Sequence, residues 1–125
     1  MAETTKLTAF STALDRLQEA IVEATEANRL SMDGTIQRFE FSFELAWKSF
    51  QEKLRFLGIE VNSPKAALRA AYAQKWIDDE EIWLEMLSCR NKSSHVYHEE
   101  MATQIFRSIK QFYPKMREAQ LILAQ

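Results

Sequence analysis

The sequence is poor in residues that interrupt helices, with two glycines and two prolines among 125 residues. β-Sandwiches and β-barrels need a turn about every 8–12 residues, usually marked by Gly, Pro, Asn or Asp, and four such breakers cannot supply them. Two isolated glycines also exclude the glycine-rich phosphate loop of a dinucleotide-binding sheet. These absences favour an all-α fold.

Cysteine and long apolar runs are also scarce. The single cysteine, Cys89, excludes an internal disulfide and is typical of a reducing compartment. No run of about 18 apolar residues is present, and residues Met1–Thr5 lack the basic flank and apolar stretch of a signal peptide. No repeat, low-complexity tract or domain boundary interrupts the chain. We therefore expect one cytoplasmic domain over residues 1–125, without a membrane contact.

Charge is unevenly distributed along the chain, whose net charge is −2. Residues 1–89 carry ten Lys and Arg against 15 Asp and Glu, whereas residues 90–125 carry six against three. A basic last third is a weak indication of an anionic partner. On this feature alone, an unevenly charged solvated surface is the better interpretation.

Apolar periodicity predicts three long helices and two short ones. The first helix is predicted from about Thr4 to Asn28, and a connection over Asn28–Gly34 precedes the second helix. Gly58 stands where the C-terminal cap of the second helix belongs. The apolar stripe of this second helix comprises Ile36, Phe39, Phe43, Ala46, Trp47, Phe50, Leu54 and Leu57. We interpret its aromatic members as core, whereas Phe41 lies off the stripe and is expected to face another helix or a partner subunit.

The remaining helices have recognisable start signals. Ser63 and Pro64 predict an N-cap and first position of a short helix, and the acidic run Asp78–Glu81 opens a fourth helix. The last helix is predicted from about Glu99 to Leu123, with a bend near Lys110–Tyr113 caused by Pro114. The pattern predicts an antiparallel up-and-down bundle of four-helix type with an extra short helix.

Common catalytic and metal sites find little support. A di-iron bundle needs Glu-x-x-His pairs, and neither His95 nor His98 has an acidic residue three positions before it. No third ligand stands at a recognisable spacing from the two histidines, and no Gly-x-Ser-x-Gly elbow surrounds Ser93 or Ser94. Cys89 is interpreted as a small core residue. We expect neither a metal nor a cofactor.

One segment, Arg90-Asn91-Lys92-Ser93-Ser94-His95-Val96-Tyr97, gathers cationic, proton-active and polar groups. One interpretation is a polar turn between helices, capped by Asn91 and the serines. In the functional interpretation, Arg90 binds a phosphate and His95 acts as an acid or base near neutrality. Asn91 then hydrogen-bonds either the imidazole or a phosphate oxygen. Tyr97 adds a phenol.

The spacing of this segment has a geometric consequence. On one continuous helix Arg90 and His95 diverge by about 140°, whereas Arg90 and Tyr97 diverge by only about 20°. For Arg90 and His95 to act on one phosphate, the helix must break between them or two chains must each bring a copy. Either route favours a dimer.

The motif Arg-Asn-x-x-x-His-x-Tyr resembles the signature of HEPN-domain proteins encoded beside minimal nucleotidyltransferases, the HepT-like toxins. The likeness covers nearly the whole chain: Phe39–Lys48 is similar to the family's second helix, and Ser63-Pro64 and Ile77–Trp83 are similar to its middle segment.

The resemblance implies a helical homodimer whose paired motifs form a metal-independent ribonuclease cleft. It makes Arg90 and His95 the catalytic pair, Asn91 a polar helper, and Tyr97 the phenol that a partner nucleotidyltransferase adenylylates to silence the toxin. The expected partners are RNA and that nucleotidyltransferase antitoxin. The alternative is a non-catalytic subunit that binds nucleotide or substrate for a separate nucleotidyltransferase.

Overall fold

The computed structural model describes residues 5–93 and 98–125, and every regular element in these two ranges is an α-helix. The five helices are α1 (Thr5–Glu23), α2 (Arg29–Phe56), α3 (Pro64–Ala73), α4 (Glu80–Ser93) and α5 (Glu99–Leu123). Helix α2 is central, because it packs against each of the other four. The predicted all-α bundle is confirmed.

The first connection differs from the prediction. Helix α1 ends at Glu23, before the predicted Asn28, and α2 begins at Arg29 instead of after Gly34. Asn28 is the N-cap of α2, and its side-chain oxygen accepts a hydrogen bond from the Ser31 backbone N–H at 3.1 Å. An asparagine in this place satisfies one of the free N–H groups of the first turn, so the helix starts there and includes Gly34.

Two other predicted helix boundaries are confirmed. Gly58 has φ +79°, and the N–H groups of Gly58 and Ile59 donate to the carbonyls of Arg55 and Leu54 at 3.0 and 2.9 Å. This pair of bonds closes the end of α2 in a Schellman motif, which needs the left-handed conformation that glycine adopts without strain. At the start of α3, the Ser63 hydroxyl accepts from the Ala66 N–H at 3.2 Å, and Pro64 occupies the first helical position.

The core lies on the inner face of α2, as the aromatic stripe predicts. Phe39, Phe43 and Phe50 are fully buried, whereas Phe41 is 66% exposed. From α5, Phe112 packs on Phe39 with ring centroids 5.6 Å apart. Helix α5 runs through Pro114. The bend expected there stays a prediction.

Within residues 5–93 and 98–125, no helix combines the length and the apolar character that crossing a membrane requires.

Candidate functional site

The aromatic core brings the C-terminal end of α4 against α2. Trp83 of α4 is buried and packs on Phe43 and Phe50 of α2, with ring centroids 6.4 and 5.4 Å apart. Arg90 follows seven residues later, which places it about 20° from Trp83 around the helix axis. The packing of Trp83 therefore turns Arg90 toward α2 at the edge of the core.

On α2, Arg90 meets Glu44. The Nη2 atom of Arg90 donates to Oε2 of Glu44 at 2.6 Å, and both side chains are about one-third exposed (31% and 32%). The second oxygen of the same carboxylate, Oε1, accepts from the indole Nε1–H of Trp47 at 3.0 Å. Lys48 lies 4.0 Å from Oε1. Glu44 is thus held between a buried tryptophan and two cations.

A second contact joins the same two helices one turn away. The Ser93 hydroxyl donates to Glu40 Oε2, and Glu40 lies four residues before Glu44 on α2. Residues four apart on a helix share one face. Two glutamates on one face of α2 therefore bind two residues in the last turn of α4.

The first half of the predicted motif is helical. Arg90 and Asn91 lie in the last turn of α4, so these two residues do not form the polar interhelical turn that was the alternative interpretation. Arg90 Nη1 donates to Oδ1 of Asn91 at 3.1 Å, so the asparagine contacts the guanidinium. Cations in the last turn also interact favourably with the helix dipole.

The second half of the motif, with His95 and Tyr97, lies outside the described residues. A helix break and a second chain, the two routes that could bring Arg90 and His95 to one phosphate, both stay predictions for the same reason. The roles of Arg90, His95, Asn91 and Tyr97 are taken up below as proposals.

A groove of about 440 Å³ opens beside Arg90 along the outer face of α2, and Phe41, Glu44 and Lys48 are among the residues that line it. Phe41 also lines a second groove, of about 700 Å³, whose other wall is formed by residues of α1 that include Ala9, Ala13 and Arg16. The exposed Phe41 side chain therefore borders two concave surfaces, one of which Arg90 also lines.

Cys89, which the sequence predicted to be a small core residue, is partly buried and packs against the core without belonging to it. Burial raises the pKa of its thiol above the usual value, which disfavours the nucleophilic thiolate. In the described ranges, no three His, Cys, Asp or Glu side chains group as possible metal ligands. His95 is outside those ranges, so the expected absence of a metal site stays a prediction.

The sequence analysis overlooked the acidic half of this site. Glu40 and Glu44 lie within the segment 39–48, whose aromatic side chains were interpreted as core and whose acidic side chains were given no role. The sequence signal that could have found them is their spacing: two acidic residues four positions apart within an apolar helical segment lie on one helix face. The spacing alone predicts a shared face; the partner on α4 follows only from helix packing.

The chain is similar to known proteins over nearly its whole length. A family model described as nucleotidyltransferase substrate binding protein like matches residues 5–125. A protein of Haemophilus influenzae named probable ribonuclease HepT is 27% identical, with 90% of this chain and 87% of that protein covered.

Two solved structures have the same fold. A crystal structure of a Thermus thermophilus protein superposes with a TM-score of 0.85 at 32% identity, covering 93% of this chain and 99% of the other. A Haemophilus influenzae protein, described as revealing the fold of a substrate binding domain of a nucleotidyltransferase, superposes with a TM-score of 0.85 at 25% identity. That match covers 95% of this chain and 99% of the other.

Proposed function

We propose a function from the premise that this chain belongs to the nucleotidyltransferase substrate binding protein like family. The protein is the toxin of a two-component pair, a metal-independent endoribonuclease that acts in the cytoplasm. Its antitoxin is a minimal nucleotidyltransferase that silences it by adenylylating Tyr97. A relative named as a probable ribonuclease supports the activity, and the family description supports the partner.

The observation that carries this proposal is the position of Arg90. Its guanidinium lies at the surface end of α4, ion-paired to Glu44, and lines a groove together with Lys48. Arginine presents several N–H donors in a planar fork that fits a phosphate, and it stays charged at every physiological pH. The same eight-residue segment carries His95, and histidine is the side chain that most often serves as a general acid or base.

The proposed reaction uses the 2′-hydroxyl of the RNA as the nucleophile. His95 accepts the 2′-hydroxyl proton while the 2′-oxygen forms a bond to phosphorus, and the partner subunit's His95 protonates the 5′-oxygen as the P–O5′ bond breaks. Arg90 stabilises the additional negative charge on the phosphorane. The products are a 2′,3′-cyclic phosphate and a 5′-hydroxyl end.

The proposal requires a homodimer, because the mechanism takes one histidine from each chain. The outer face of α2 is suited to be the interface, since Phe41 is 66% exposed there and flanks the groove that Arg90 lines. Large apolar side chains exposed beside concave surfaces commonly mark interaction sites. A two-fold contact across this face brings the two Arg90 residues toward a shared cleft.

The alternative is a non-catalytic subunit that binds nucleotide or substrate for a separate nucleotidyltransferase. The family description and the description of the Haemophilus influenzae structure both mention substrate binding for a nucleotidyltransferase. They therefore support this binding subunit as well as they support a nucleotidyltransferase partner for the proposed toxin. The two functions differ in one result. Only the ribonuclease requires RNA cleavage that depends on His95.

The test is cleavage of a labelled RNA by the purified protein and by His95→Ala and Arg90→Ala. General acid–base groups contribute about 10²–10⁴-fold to rate, and a donor that stabilises transition-state charge about 10²–10³-fold, so we expect at least about a 100-fold loss in each variant. Arg107→Ala is the matched control. Like Arg90, Arg107 forms an ion pair with a glutamate, Glu26 at 2.6 Å, but Arg107 lies on α5 and not on α4. This variant should cleave like the wild type.

Two further arms test the chemistry. Cleavage should continue in EDTA, and a single 2′-deoxy substitution at the cut site should abolish it, because the nucleophile is then missing. Loss of cleavage in EDTA that a divalent ion restores contradicts the mechanism. Cleavage that is absent, or unchanged in His95→Ala, favours the binding subunit.

A further inference from the structure

We propose that Glu44 is a positioning residue for Arg90: its carboxylate fixes the guanidinium at the groove so that it meets the phosphorane without reorienting. The inference rests on the proposed function, because it assigns Glu44 a role in that reaction. It does not make Glu44 a catalytic residue, since the carboxylate acts through Arg90 alone.

The contacts of Glu44 use both of its oxygens. Oε2 accepts from Arg90 Nη2 at 2.6 Å, and Oε1 accepts from Trp47 Nε1–H at 3.0 Å. Trp47 is only 9% exposed and belongs to the core, so its N–H is a fixed donor. An arginine side chain carries large rotamer freedom, and a partner tied to the core removes part of it.

Only a carboxylate satisfies this arrangement. Arg90 and Trp47 are both donors without an acceptor at the contacting nitrogen, and a carboxylate offers an acceptor to each. A glutamine in its place has one carbonyl oxygen and one NH₂ group. Whichever donor the oxygen faces, the NH₂ group then faces the other donor, and one contact becomes repulsive.

The end of α4 is fixed independently of Glu44. Ser93 binds Glu40, and Trp83 is buried against Phe43 and Phe50. Loss of the Glu44 contact therefore leaves the helix in place and releases the Arg90 side chain. This separation distinguishes a positioning residue from one that merely holds the fold together.

Charge gives the proposal a kinetic signature. The groove is lined by two cations, Arg90 and Lys48, and by two carboxylates, Glu40 and Glu44, so its formal charges cancel. Glu44→Gln removes a negative charge near the substrate phosphate, so ground-state binding of RNA should stay equal or strengthen. The misdirected guanidinium should nevertheless lower the rate of the chemical step.

The experiment measures kcat and KM for RNA cleavage by the wild type, Glu44→Gln and the control Glu26→Gln. Glu26 receives two hydrogen bonds from Arg107, at 2.8 and 2.6 Å, far along the chain from the motif. We expect Glu44→Gln to lower kcat at least about tenfold without raising KM. Glu26→Gln should leave both constants within about twofold of the wild type.

Trp47→Phe supplies a second, independent readout. This change removes the indole donor, so an amide oxygen at position 44 can turn to Arg90 without a clash. In the Trp47→Phe background, Glu44→Gln should therefore cost several-fold less in kcat than it does in the wild type. Thermal unfolding of each variant separates loss of structure from loss of orientation of the Arg90 guanidinium. Glu44→Asp is included because it keeps both acceptor oxygens.

The outcomes divide clearly. The positioning role is overturned if Glu44→Gln keeps the wild-type kcat, or if an increase in KM accounts for its whole loss of activity. It is also overturned if Glu44→Gln lowers kcat equally in the wild-type and Trp47→Phe backgrounds. If the wild type itself cleaves no RNA, the proposed function fails, and the ¹⁵N side-chain spectrum of Arg90 decides the inference instead. Restricted guanidinium rotation that is lost in Glu44→Gln supports it, and identical Arg90 signals in both proteins overturn it.

Discussion

The contact between Arg90 and Glu44 matters at the residue scale for orientation more than for stability. Both side chains are about one-third exposed, so solvent screens their attraction and a surface pair of this kind stabilises a fold by about 1 kcal/mol or less. The same geometry still restricts where the guanidinium points. A change that costs little stability can therefore have a large effect on a reaction that uses Arg90.

Tyr97 carries the second residue-scale prediction. The sequence places it seven positions after Arg90, and our expectation that its phenol lies beside the proposed phosphate site stays a prediction. Transfer of AMP to the phenol adds a phosphodiester charge and an adenosine, and Arg90 then pairs with the modification in place of RNA. We expect co-expression with the cognate nucleotidyltransferase to add the mass of an adenylyl group to the wild type, measured by intact-protein mass spectrometry.

Tyr97→Phe should gain no mass and should resist neutralisation by the antitoxin. Tyr113→Phe is the control, because Tyr113 lies on α5 and its hydroxyl accepts from Arg117 Nε at 3.1 Å. It should be modified like the wild type. An adenylyl group found on Tyr97→Phe, or modified protein that still cleaves RNA, means that Tyr97 does not have this role.

The sequence revealed only part of this site, for a physical reason. Arg90, Asn91, His95 and Tyr97 stand within eight residues, so their spacing is visible without a fold. The contact between Glu44 and Arg90 joins residues 46 positions apart. It depends on how α2 and α4 pack, which periodicity within either helix does not determine.

At the scale of elements, the aromatic contact between α2 and α4 determines where the motif lies. Phe50 packs edge-on against Trp83 at 5.4 Å and stacks with Trp76 at 6.3 Å. Since α3 ends just before Trp76, one phenylalanine holds both short helices against α2. The position of Arg90 at the surface is a consequence of this buried packing.

This packing predicts a large stability difference between two phenylalanines of one helix. Phe50 is fully buried and Phe56 is 71% exposed, and both belong to α2. Phe50→Ala should lower the free energy of unfolding by about 3–5 kcal/mol, because it removes buried apolar surface and leaves a cavity. Phe56→Ala should change it by about 0.5 kcal/mol or less, measured by urea denaturation. Equal losses in the two variants contradict the assigned core.

Helix boundaries show what local sequence signals determine. Ser63-Pro64 and Gly58 were interpreted correctly, because each has a local backbone role that the neighbouring residues reveal. Gly34 was wrongly assigned to a connection. A glycine inside a helix costs about 1 kcal/mol relative to alanine, and capping by Asn28 together with burial of Met32 and Thr35 offsets that cost.

At the scale of the whole molecule, the net charge of −2 limits how the proposed ribonuclease can hold RNA. Nonspecific binding to nucleic acid depends on many phosphate contacts, which an overall acidic chain does not offer. The excess of positive charge is confined to residues 90–125, which contain six basic and three acidic residues. The proposed ribonuclease therefore has to recognise RNA locally, at the proposed cleft between two copies.

The last prediction concerns that assembly. Phe41→Glu places a charge on the outer face of α2, at a side chain that lines both the groove of about 440 Å³ and the groove of about 700 Å³. Burying an unpaired carboxylate in a dimer interface costs several kcal/mol, so the dimer should dissociate and RNA cleavage should fall with it. Phe56→Glu makes the same change at an equally exposed phenylalanine of α2, 71% against 66%, and should remain a dimer. Light scattering at micromolar concentration checks both variants: a Phe41→Glu protein that stays dimeric rules out this face as the interface, and a wild-type mass near 14.6 kDa contradicts the dimer itself.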